Sequence, residues 1–251
     1  MQQIYDLIVK FIKEERDQLE SKESNYFALV FGEVSKYYKY LSIVWPRYKA
    51  ISKTYVQGGR QKMARAMSMP AGSREVTQEE IREFELSREQ QEQLHFELES
   101  IFIFCSILLD RIAASTQYYF GIGSKQWRSF EAMKDHFEGY CENKALSVPI
   151  KEMVQVIRWL HKNVSEFRHL LVAHKHENDY RIRLSFGTSW SNISDDDEAY
   201  FNLGLMYPQG NEEPFVSEQP QNILKNLNKL LELWIEYLRV NRGKRDLSPN
   251  A

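Results

Sequence analysis

The sequence has few of the residues that interrupt regular structure, with 11 glycines and 7 prolines among 251 residues. It has 2 cysteines, Cys105 and Cys141, and no Cys-x-x-Cys spacing. The scarcity of glycine and proline favours long helices over a fold with many turns. Without clustered cysteine and histidine ligands, a structural zinc site is not expected. We therefore expect a helical protein that holds no metal ion and no cofactor.

An excess of charge of one sign is also missing, as is a long hydrophobic run. The 33 basic and 35 acidic residues give a net charge of -2, which excludes capture of nucleic acid by the charge of the whole molecule. Any RNA contact must be local, or must be built by pairing two subunits. The longest apolar run, residues 101–109, is too short to span a bilayer. The first residues form a charged amphipathic segment and no signal peptide, so we expect a soluble cytoplasmic protein without membrane contact.

The residues that are present indicate a globular protein, because 43% are hydrophobic, 27% are charged and 13% are aromatic. Apolar side chains recur at intervals of three and four residues over most of the chain, which is the spacing of an amphipathic helix. This spacing predicts helices over residues 4–19, 25–55, 77 to about 120, 124–143, 148–175 and 221–239. Thr77 and Glu80 form a capping box that starts the third helix, and Pro46 predicts a kink or break in the second.

Three segments depart from the helical pattern. Residues 57–74 combine glycine, methionine and cations, which predicts a flexible basic loop. Polar and apolar residues alternate near both ends of 180–207, which predicts a β-hairpin. Residues 241–251 form a polar tail. We predict one all-α domain over residues 1–251, with the hairpin inserted before the C-terminal helix.

The residue pattern most informative about function lies at the end of the predicted helix 148–175. It brings together Arg168, His169, His174 and His176 within a few residues. The planar guanidinium of arginine suits phosphate, and a histidine with a pKa of about 6.5 can transfer protons at neutral pH. RNA cleavage through the 2′-OH needs proton transfer and a cation at the phosphorane, so these residue types suffice without a metal.

The spacing restricts how Arg168 and His174 can act together. Positions six apart on a regular helix are about 120° apart around it and about 9 Å apart along its axis. The two side chains can share one site only if the helix ends or distorts near His174, or if the site lies between two subunits. A structural alternative assigns both residues to a salt bridge or to the C-terminal end of the helix, where cations are favoured.

The order Arg168-His169, four residues, His174 resembles the motif of the HEPN family. This resemblance implies a HEPN-like helical bundle and a metal-independent endoribonuclease, of the kind found among toxins and antiviral effectors. It implies catalytic roles for Arg168 and His174 and a supporting role for His169. Members of the family commonly dimerise so that two motifs face one cleft. Other members are not catalytic and bind a nucleotide, RNA or a protein partner, which is the alternative function we consider.

Further residues are candidates for the same site. His176 and Glu166 are candidate supporting residues beside the motif, with Glu97, Glu99 and Asp110 as other carboxylates able to orient a histidine. The cations of the predicted loop, which are candidates for binding RNA, are Arg60, Lys62 and Arg65. The expected partners are RNA, a second copy of the chain, and possible antitoxin or regulatory proteins.

Overall fold

A computed structural model of the chain describes residues 1–18, 21–68, 77–120, 129–140, 150–165, 181–187, 200–206, 212–218 and 220–242. Helices make up most of these residues, so the prediction of a mostly α-helical protein is confirmed. The chain divides into two compact units, whereas the sequence predicts a single domain. Unit 1 comprises Met1–Ser42, Phe102–His174 and Gln221–Ala251, and unit 2 comprises Ile43–Ile101 and Lys175–Pro220.

The described helices are α1 (Gln2–Arg16), α2 (Ser21–Ser68), α3 (Gln78–Phe120), α4 (Phe130–Tyr140), α5 (Ile150–Leu160) and α6 (Pro220–Val240). A π-helical turn, His161–Ser165, follows α5 directly. Helix α2 continues through Pro46, so the predicted break is wrong. Proline removes one backbone hydrogen bond, and the burial of Val44 and Tyr48 on either side of Pro46 offsets that loss. None of the described helices has the length and apolar composition needed to cross a membrane.

The core of unit 1 is built around Trp234 of α6, which is almost completely buried. Its ring stacks on that of Phe31 from α2, with the ring centroids 5.6 Å apart, and lies 6.4 Å from that of Phe11 in α1. The indole Nε1 donates a hydrogen bond of 2.7 Å to Oγ1 of Thr116 in α3. A buried indole needs such an acceptor, so Trp234 joins four helices by apolar and polar contacts.

The amphipathic stripes predicted for α4, α5 and α6 are buried in unit 1. The buried residues on these stripes include Phe130, Met133, Phe137, Val154, Ile157, Leu160, Ile223, Leu227, Leu230 and Leu238. The helices are also linked by polar contacts, since Arg158 Nε of α5 donates to Glu138 Oε1 of α4 at 2.7 Å. Helices α4 and α5 lie within the predicted ranges 124–143 and 148–175. The flanking residues 121–128, 141–149 and 166–175 lie outside the described residues.

In unit 2, residues 43–68 of α2 pair with residues 78–101 of α3. Three contacts show that the helices run antiparallel, because residue numbers fall along α3 as they rise along α2: Arg47 with Glu97, Tyr55 with Gln91, and Lys62 with Glu83. The apolar side chains buried in this part of unit 2 are Val44, Tyr48, Val56, Leu94, Leu98 and Ile101. Apolar side chains are therefore buried between the helices near Val44 and Ile101. Polar contacts continue from there towards Lys62 and Glu83.

The predicted capping box at the start of α3 is confirmed. Thr77 Oγ1 accepts a hydrogen bond of 3.3 Å from the backbone N–H of Glu80, and Glu80 Oε2 accepts one of 2.9 Å from the backbone N–H of Thr77. The two residues thereby satisfy backbone donors that the first turn of a helix leaves without partners. This local pair fixes where α3 begins.

Unit 2 also contains an antiparallel sheet in the order β1-β2-β3. Its strands are β1 (Arg181–Gly187), β2 (Tyr200–Met206) and β3 (Glu212–Glu218). Strands β1 and β2 lie within the range for which the alternation predicts a hairpin, and β3 was not predicted. Pro214 weighs against a strand because it lacks a backbone N–H, but β3 lies at the edge of the sheet, where a proline is tolerated.

The segment 57–74 is not the predicted loop over its first part, because α2 extends to Ser68 and includes Arg60, Lys62 and Arg65. Residues 69–76 lie outside the described residues. Glycine lowers helix propensity by about 1 kcal/mol relative to alanine, which is why Gly58 and Gly59 favour a loop. Residues 60–68 are nearly all strong helix formers. The contacts of Lys62 and Arg65 with Glu83 of α3 further stabilise the helical conformation.

The predicted polar tail begins with two packed residues. Asn241 is fully buried, and its Nδ2 donates a hydrogen bond of 2.8 Å to the carbonyl oxygen of Tyr237. Arg242 forms an ion pair with Glu15 of α1. The remaining residues, 243–251, lie outside the described residues. The polarity of residues 241–251 does not reveal a buried partner such as Glu15, so the packing of Asn241 and Arg242 was not predicted.

Candidate functional site

The predicted catalytic pair Arg168 and His174, with the predicted supporting residues His169, His176 and Glu166, lies outside the described residues. The described segment 150–165 ends with the π-helical turn His161–Ser165, directly before Glu166. Within this turn Val164 is buried, and Asn163 Nδ2 donates to the carbonyl oxygen of Trp159 at 2.8 Å. Single π-helical turns are frequent at functional sites, and this one marks a departure from regular helical geometry just before the motif.

Two of the other candidate carboxylates have structural partners. Glu97 is buried and its Oε1 forms an ion pair with Arg47, while its Oε2 has no hydrogen-bond partner in the described part of the chain. Asp110 Oδ1 accepts a hydrogen bond of 2.9 Å from the backbone N–H of Phe130, the first residue of α4. Glu99 is exposed. Asp110 therefore acts at the start of a helix, where a carboxylate is favoured.

The described residues form a pocket of about 240 Å³ between α2 and α3 in unit 2. It is lined by Thr54, Tyr55, Gln57, Gly58, Gly59, Gln61, Lys62, Glu83, Leu86, Ser87 and Gln90. Gly58 and Gly59 contribute only backbone atoms to this lining. The pocket thus coincides with the segment in which the sequence predicts RNA-binding cations.

The charges beside the pocket are arranged around Glu83. Lys62 Nζ donates a hydrogen bond of 2.9 Å to the backbone carbonyl oxygen of Glu83. Arg65 NH1 forms an ion pair of 2.6 Å with Glu83 Oε1. The structure therefore brings together two of the three predicted RNA-binding cations and adds a carboxylate that offsets the charge of Arg65. The third cation, Arg60, is exposed and does not line the pocket.

The glycine pair is costly at its position in the helix. Gly58 and Gly59 lie inside α2, ten and nine residues before its end at Ser68. A Cβ atom added at either glycine would meet no heavy atom within 4 Å. Packing within the protein therefore gives no reason for glycine there, although alanine would stabilise the helix. Both glycines line the pocket, so a ligand there could approach the helix backbone.

The remaining lining residues offer hydrogen bonds rather than charge. Gln57, Gln61 and Gln90 each carry an amide with two donor hydrogens and an acceptor oxygen. The Tyr55 hydroxyl accepts a hydrogen bond of 2.9 Å from Gln91 Nε2. Sequence reasoning missed these amides and Glu83, because it placed residues 57–68 in a loop. As a helix, this segment puts Lys62 and Arg65 three positions apart on neighbouring turns, which would have indicated a common acidic partner.

The described residues contain no group of three histidine, cysteine, aspartate or glutamate side chains placed to hold a metal ion. The polar side chains that line the pocket can form hydrogen bonds, and among them Lys62 can contact a single phosphate. Comparisons with protein-family models, with curated proteins and with solved structures gave no match to this chain.

Proposed function

We propose that this chain is a metal-independent endoribonuclease with a HEPN-like helical bundle, into which the hairpin is inserted before α6. In this proposal Arg168 stabilises the charge of the phosphorane and His174 transfers a proton to or from a reacting oxygen. His169, His176 and Glu166 support the pair. Two copies of the chain pair so that two motifs face one cleft, and a regulatory protein such as an antitoxin controls the activity.

The observation that carries the proposal is the Arg168-His169-x4-His174 motif directly after the amphipathic helix α5 and its π-helical turn. On a regular helix the side chains of Arg168 and His174 would point about 120° apart. A π-helical turn so close in the chain supports the idea that helical geometry changes in this region. Arginine and histidine together provide phosphate binding and proton transfer at neutral pH.

A second candidate function is a non-catalytic module that binds a nucleotide, RNA or a protein partner. It is favoured by the pocket in unit 2, because Arg65 beside it is already paired with the Glu83 carboxylate. Cations that are already paired attract a long polyanion less than unpaired ones do. The pocket therefore suits recognition of one small polar group.

The nuclease proposal is tested by incubating the purified full-length chain with mixed RNA in EDTA and analysing the product ends. We expect cleavage that persists in EDTA and leaves 2′,3′-cyclic phosphates, because the 2′-OH is the nucleophile. DNA, which lacks this hydroxyl, should remain intact. Arg168→Ala and His174→Ala should each reduce cleavage by about 100-fold or more, the usual effect of losing a positioned catalytic group.

The matched control is His161→Ala, which alters a histidine at the start of the π-helical turn. It should retain most of the activity, and circular dichroism should show that all three variants are folded. Cleavage that requires a divalent metal, or cleavage by an Arg168→Ala/His174→Ala double variant at the wild-type rate, would exclude this catalytic assignment. The non-catalytic binding function would then be the better one.

A further inference from the structure

We propose that the pocket between α2 and α3 binds a single unstacked nucleobase of RNA, with adenine preferred, and that Gly58 and Gly59 are glycines because the base lies against them. This inference rests on the proposed RNA function and adds a recognition site for that function in unit 2.

The size of the pocket limits its ligand to a small group. Its volume of about 240 Å³ is below the roughly 300–1,000 Å³ of pockets that hold drug-sized molecules. One base fits this limit better than a stacked pair or a peptide. Single-stranded RNA presents such bases, because those in loops and at ends can leave the stack and enter protein pockets.

The lining residues match the chemistry of a base. Gln57, Gln61 and Gln90 supply amides, and a side-chain amide can bond simultaneously to the N6 donor and the N7 acceptor of adenine. Tyr55 and the half-exposed Leu86 supply ring and aliphatic surface for the faces of the base. The hydrogen bond from Gln91 to the Tyr55 hydroxyl restrains this tyrosine before any ligand binds.

Lys62 is positioned for the phosphate that accompanies the base. Its ammonium group carries three donor hydrogens and gives one to the carbonyl oxygen of Glu83, so others remain for a phosphate. The Glu83 carboxylate would repel a phosphate, but Arg65 pairs with it and offsets its charge. A lysine held in place by one bond loses less side-chain entropy when the ligand arrives.

The glycine pair gives the base direct access to the backbone of α2. Both glycines line the pocket, and no protein atom lies where a Cβ would be added at either position. In this proposal the base lies against the backbone of these residues, so an added Cβ would crowd it. Alanine there should therefore make the helix more stable and binding weaker, which is the opposite of what a packing role predicts.

The test uses the full-length chain and calorimetric titration with AMP, UMP, CMP, GMP and ribose 5-phosphate as probes. We expect AMP to bind most tightly, with a millimolar or lower Kd, and ribose 5-phosphate to bind at least tenfold more weakly. Gly58→Ala and Gly59→Ala should each raise the thermal midpoint and weaken AMP binding by tenfold or more. Gln90→Leu should weaken binding and reduce discrimination between the bases.

Matched controls make the test specific. Gly32→Ala changes another glycine of α2 with no atom within 4 Å of an added Cβ, and Gln93→Leu changes an exposed glutamine of α3 that does not line the pocket. Both should bind AMP as the wild type does. The inference is overturned if none of the nucleotides binds at millimolar concentration, if ribose 5-phosphate binds as well as AMP, or if the glycine variants bind normally.

The same measurements separate this inference from the nuclease proposal. Nucleotide binding that is lost in Gly59→Ala, in a protein that does not cleave RNA, would support the pocket and remove the nuclease. RNA cleavage that depends on Arg168 and His174, in a protein that binds none of the nucleotides, would support the nuclease and remove the pocket.

Discussion

Arg242, two residues beyond the end of α6, binds the carboxylate of Glu15, whose side chain has no exposed surface. The guanidinium uses both Nε and NH2 on Glu15 Oε1, and the hydroxyl of Tyr119 donates to Glu15 Oε2 at 3.2 Å. This contact joins the end of α1 to the segment after α6 within unit 1. A buried carboxylate is tolerated only when such partners satisfy it.

We expect Arg242→Ala to lower the free energy of unfolding by about 2–3 kcal/mol. Removing one partner of a fully buried pair costs about 3–5 kcal/mol, and the effect is smaller here because the Arg242 side chain is 37% exposed. The measurement is urea unfolding followed by circular dichroism. Arg158→Ala removes an arginine from an exposed pair with Glu138 and should cost less than about 1 kcal/mol. Equal effects of the two substitutions would contradict the role assigned to Arg242.

The second prediction concerns Cys105, which is fully buried in α3. Burial raises the pKa of its thiol, so the reactive thiolate is scarce at neutral pH. In a Cys141→Ser background, a thiol reagent should label no cysteine in the native protein and one cysteine after denaturation. The labelling rate should follow the urea unfolding curve. Rapid labelling without denaturant would show that this part of the core opens readily.

The helices with one buried face were predictable from the sequence alone. Leu227, Leu230 and Trp234 of α6 recur at helical spacing, and this local pattern directly reports the face that packs on the core. The start of α3 was predictable for the same reason, because Thr77 and Glu80 are only three residues apart. Long-range pairs leave no such local pattern, which is why the packing of Arg242 was missed.

The first part of the predicted loop, residues 57–68, is a helix because local and long-range preferences oppose each other there. Gly58 and Gly59 favour a loop, whereas the polar contacts of Lys62 and Arg65 reach Glu83, 18 or more residues further along the chain. Nothing in the residues near Gly58 indicates that Glu83 lies opposite. The sequence analysis therefore placed Arg60, Lys62 and Arg65 on a loop instead of a helix.

The stability effect of the glycines gives the third prediction. Gly58→Ala and Gly59→Ala should each stabilise the protein by about 1 kcal/mol, because alanine is the better helix former and meets no atom within 4 Å. For a chain of this size, that change raises the midpoint of thermal unfolding by about 2–4 °C. Gly32→Ala should give a similar increase. Destabilisation by Gly59→Ala alone would mean that its surroundings are tighter than the structure shows.

The last prediction concerns Glu83 and the salt dependence of RNA binding. Glu83→Gln removes the carboxylate that pairs with Arg65, so Arg65 should become available to RNA phosphates. We expect tighter binding of single-stranded RNA and a steeper salt dependence. Each added phosphate contact should increase the slope of log K against log salt by about 0.7. The measurement is fluorescence anisotropy with a labelled RNA over a range of salt concentrations.

Glu92→Gln is the matched control, because Glu92 is an exposed α3 carboxylate paired with Arg88 in the same helix. The two substitutions change the net charge equally, but Glu92 lies nine residues from Glu83, about 13 Å along the helix. That distance exceeds the screening length of about 8–10 Å at physiological salt, so Glu92→Gln should leave the slope unchanged. The triple variant Arg60→Gln/Lys62→Gln/Arg65→Gln should weaken binding and flatten the slope. Equal slopes for Glu83→Gln and Glu92→Gln would show that RNA does not contact the cations beside the pocket.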